Sequence, residues 1–125
     1  MAKWVYNGVA DYGLVGGIQQ VVNRVAIATA AAVSWANFGS YAVGTLAIAS
    51  ANFTVGTGDT NGRKITLGAA TIVVGTSGAV NHILLGGTTG SGTLVLAGTC
   101  APTAVTAAGT VILSAWDCDE INDVT

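Results

Sequence analysis

Residues 14–30 read LVGGIQQVVNRVAIATA, and the fold class turns on a change of period in the middle of them. Ahead of Arg24, Leu14, Ile18, Val21 and Val22 stand at i, i+4, i+7 and i+8, which is one apolar stripe of a helix. Asp11 is placed to act as its N-cap, and Gln19, Gln20 and Asn23 supply a polar side. The spacing predicts a short amphipathic helix near residues 11–22. Gly13, Gly16 and Gly17 each weaken it by about 1 kcal/mol relative to alanine, so the helix depends on packing. From Arg24 the period is two: Val25, Ile27 and Thr29 alternate with Ala26, Ala28 and Ala30. That is a strand with one large and one small face.

Working outward, residues 1–9 read as an extended N-terminal arm that ends at an Asn7-Gly8 turn signal. Residues 34–40, with Trp35 and Phe38, read as a loop. Leu46 and Ile48 alternate with small residues, and Phe53, Thr54 and Val55 begin another extended run. Residues 56–62 form a polar, glycine-rich turn. Strands are expected at 63–67, 71–74, 79–85 and 93–97, with loops at 75–78 and 86–92. A last pair, 103–106 with 110–113, is joined by a turn at 107–109. Short strands with turn signals every 8–12 residues indicate an antiparallel β-sandwich or barrel. The expected class is mainly β with one N-terminal helix, or α+β by a narrow definition, and residues 10–125 make a single β-rich domain.

The 125 residues are 51% apolar and only 8% charged, with a mean hydropathy of +0.64. Such a chain is not disordered, because disordered chains are charged and poor in apolar residues. Four Lys/Arg against six Asp/Glu build no basic footprint for nucleic acid. Two cysteines are too few for a disulfide scaffold. Cys100 and Cys118 are therefore expected as thiols. The longest apolar run, Val25 to Ala36, is well short of the roughly 20 residues of a membrane-spanning helix. No secretory leader is recognised in the first twenty positions, so a protein made and assembled in a cytoplasm is expected. A folded chain of this size exposes about 6,000 Å², or about one charge per 600 Å². Coverage of much of that surface by partners follows as an expectation.

Catalytic chemistry is not spelled out. His82 is the sole histidine, lies inside a strand, and is expected to bond locally rather than act as a base. No serine sits in a Gly-x-Ser-x-Gly elbow. Asp117, Asp119, Glu120 and Asp123 lack the spacing of a calcium loop and read as a solvated acidic end. Asp59, Asn61 and Gly62 are ordinary turn residues. Neither a metal site, a cofactor site nor a catalytic site is expected. The aromatics carry more information. Trp4 and Tyr6, with Val5 between them, lie on the arm, while Trp35, Phe38 and Tyr41 lie together further on. Such residues fill cores, and on arms and loops they also make oligomer interfaces. Trp4, Val5, Tyr6, Trp35, Phe38 and Tyr41 are the candidate interface residues, whereas Trp116 is expected in the core.

Five stretches taken in order carry a resemblance: NRVAIATA at 23–30 after the amphipathic segment, FTV at 53–55, GDTNGRKIT at 58–66, GAVNHILL at 78–85 and TVILSAWD at 110–117. Together they resemble a group of small structural proteins of tailed bacteriophages and prophages, over most of residues 10–123. The most distinctive pieces are the Gly-Asp-x-x-Gly-Arg-Lys turn and the Trp-Asp near the end. These are packing and turn motifs, so the resemblance implies a virion component without catalytic residues. The expected function is a capsid decoration (cement) protein that binds the major-capsid lattice as a homo-oligomer. A tail, collar or head-fibre component is the alternative. A small carbohydrate- or ligand-binding β-sandwich, with Trp35, Phe38 and Tyr41 as a stacking platform, is a third reading.

Overall fold

In the computed structural model, which describes residues 13–59 and 62–121, the alternation after Arg24 forms strand β1 (Arg24–Ala28). Its two faces have different neighbours. Val25 and Ile27 enter the main core, and Ala26 and Ala28 enter a second, smaller cluster on the other side. The large face thus fills the space between sheets. The small face lets a helix approach closely.

The fold is mainly β and antiparallel. β2 (Ala42–Ala47), β1, β6 (Gly78–Gly87) and β7 (Thr93–Val105) form a four-stranded sheet in the order β2-β1-β6-β7. β3 (Phe53–Thr57), β4 (Arg63–Leu67) and β9 (Trp116–Ile121) form a second sheet with β4 in the middle. β5 (Ala70–Val73) and β8 (Thr110–Leu113) form a two-stranded third. Side chains of all three sheets meet in one core, a sandwich-like arrangement: Val25, Ile27, Val43 and Leu85 from the first, Phe53, Ile65, Leu67 and Cys118 from the second, Ile72 from the third.

The N-terminal segment forms a π-helical turn, Val15–Gln19, closed by the Gln20 amide donating to the Val15 carbonyl at 2.9 Å. Leu14, Ile18 and Val22 are buried in the main core, but Val21 is exposed. The wider winding of a π turn keeps i, i+4 and i+8 in line and rotates i+7 outward. Gly16 and Gly17 have open space around them, and glycine's backbone freedom lets the turn depart from the α winding. The expected cap Asp11 and the arm 1–9 lie outside the described residues.

Four expectations of detail are corrected. Residues 34–40 are not a loop: helix α1 (Trp35–Tyr41) starts there. Ser34 Oγ accepts from the Asn37 amide at 3.3 Å as the N-cap, and Asn37 Oδ1 accepts from the Val33 amide just ahead of the cap at 3.3 Å. The stretches 93–97 and 103–106 belong to one strand, β7, whose register against β6 breaks between Val80 and His82. Pro102, which has no amide to donate, sits within that break, at the edge of the sheet. β8 pairs with β5, Ile72 facing Val111, and not with residues 103–106. The acidic end is not simply solvated chain. It forms β9, beside β4, with Thr66 opposite Asp117 and Lys64 opposite Glu120.

Candidate functional site

The three aromatics proposed for one surface are brought together, but they turn inward. Trp35 and Phe38 are one helical turn apart on α1, and their rings stack with centroids 4.8 Å apart at 20°. Phe38 is only 5% exposed and packs with Ala26, Ala28, Ala32 and Leu84, with Trp35 and Tyr41 partly buried around it. Trp35 lies over the backbone of Gly86 and Gly92, where no side chain intervenes. A stacking platform for a ligand needs open ring faces, and here Phe38 is committed to the second cluster. Trp4, Val5 and Tyr6 lie outside the described residues. Trp116 is partly buried against the main core, with its six-membered ring over Gly98.

The two distinctive turn and end motifs converge. Lys64 Nζ donates to Asp59 across the β3–β4 turn and to Asp117 Oδ2 on β9 at 3.0 Å. Thr66 Oγ1 donates to Asp117 Oδ1 at 2.8 Å. These contacts hold the Asp117 carboxyl below the usual carboxylate range, Lys64 first and Thr66 second. The Lys64 ammonium is raised well above its ordinary range, chiefly by Asp59 and then by Asp117. A lysine neutralised by two carboxylates is a clamp between strands and is poorly suited to proton transfer at neutral pH. Nothing in the sequence spacing brings Lys64 to Asp117. The pairing of β4 with β9 does.

Elsewhere His82 and the two cysteines lie apart from this cluster. His82 Nδ1 lies 2.6 Å from the side-chain oxygen of its neighbour Asn81. Cys100 and Cys118 are not joined in a disulfide, and the Cys118 thiol donates to the Trp116 carbonyl at 3.5 Å. Burial pushes the Cys100 thiol up, which makes it less reactive. Among the described residues, no three His, Cys, Asp or Glu side chains gather as metal ligands, and no cavity of ligand size opens.

The remaining surface features are apolar. Val73 is 62% exposed and Ile112 76% exposed, on the outer side of the β5–β8 pair, and Val33 is 87% exposed just before α1. The outward face of β5–β8 was not foreseen as a surface, because alternation in 71–73 and 110–113 separates two faces without saying which one meets solvent. No family model, no curated protein and no solved structure matches this chain.

Proposed function

We propose that the protein is a virion structural protein of a tailed bacteriophage, a capsid decoration protein that binds the major-capsid lattice as a homo-oligomer and performs no catalysis. One observation carries the reading: charge is scarce, and two long stretches of the sequence carry none. No Asp, Glu, Lys or Arg lies between Lys64 and Asp117, or between Arg24 and Asp59. The long neutral stretches include β5, β6, β7 and β8, with Val73 and Ile112 well exposed. Free soluble domains keep charge over the whole surface. A surface this poor in charge suits a protein that works covered by symmetric neighbours. The arm with Trp4, Val5 and Tyr6 is the segment assigned to reach such a neighbour.

The test is a quantitative mass-spectrometric count of this chain in purified particles. A copy number that scales with the major capsid protein supports decoration. A handful of copies per particle points to the tail or collar alternative. Absence from particles overturns the structural reading.

A further inference from the structure

We draw no further inference here: the strongest candidate, the exposed apolar face of the β5–β8 pair around Val73 and Ile112, is an unpartnered surface, and nothing in the structure shows what covers it.

Discussion

Gly92 shows how a single residue governs the aromatic cluster. Its φ is +89°, in the left-handed region that side chains avoid. A Cβ built there runs into the five-membered ring of Trp35. Gly90 has φ +67° but open space around it. The two glycines therefore separate backbone strain from collision. Gly90→Ala is expected to cost about 1 kcal/mol, the strain alone. Gly92→Ala is expected to cost about 2–3 kcal/mol, because Trp35 must also leave its stack on Phe38. Urea unfolding midpoints of the two variants, compared at constant slope, check the difference.

At the scale of elements, β9 is held to β4 by charge as well as by its ladder. The folded Asp117 carboxyl titrates below its unfolded value, so its contacts stabilise β9 above the ordinary carboxylate value of about 3.9. That contribution disappears as pH falls through the lower folded value. Lys64 works in the opposite sense: its value is raised on folding, so its share is full at and below the ordinary lysine range and is lost only at the alkaline end. Both groups are solvent-facing, and water screens much of the effect. Asp117→Asn is expected to lower the thermal midpoint by about 1–2 °C at neutral pH. The gap to wild type should close as the buffer is taken below the carboxylate range. Melting curves of the two proteins across an acid series measure it.

At the scale of the whole molecule, the charge of the described residues is gathered mainly on one sheet. Among the described residues, Asp59, Arg63 and Lys64 belong to β4 and the turn before it, Asp117, Asp119 and Glu120 to the neighbouring β9, and Arg24 stands apart at the start of β1. Self-association of the proposed kind through a charge-free surface has no ion pairs to screen. Raising the ionic strength from about 0.05 to about 0.5 M shortens the Debye length to a few ångströms. The association constant is expected to stay within about twofold of its low-salt value or to tighten as burial is favoured. Light scattering in the two buffers reads this directly. A steep loss of association with salt would instead place the contact at the Lys64–Asp117 end.

Local pattern decided much of this fold. Val25 and Ile27 against Ala26 and Ala28 already separate a face for a thick core from one for a close helix, because side chains on a strand alternate strictly. Arg63–Leu67 and Thr110–Leu113 are strands with the bounds their alternation marks. Helix α1 was also present in the pattern, in Ser34 and Asn37 three apart, but two aromatics and a glycine masked it as a loop. What local pattern does not contain is partnership. That β8 joins β5, that β7 continues through Pro102, and that Asp117 reaches Lys64 are all consequences of which strands lie side by side. Strand pairing is made by backbone groups common to every residue. Register and neighbour are chosen by the total burial of the folded chain, which no short stretch encodes. The charge-poor composition was legible from the first count, but that β7 is an edge strand is decided only once β6 has taken its other side.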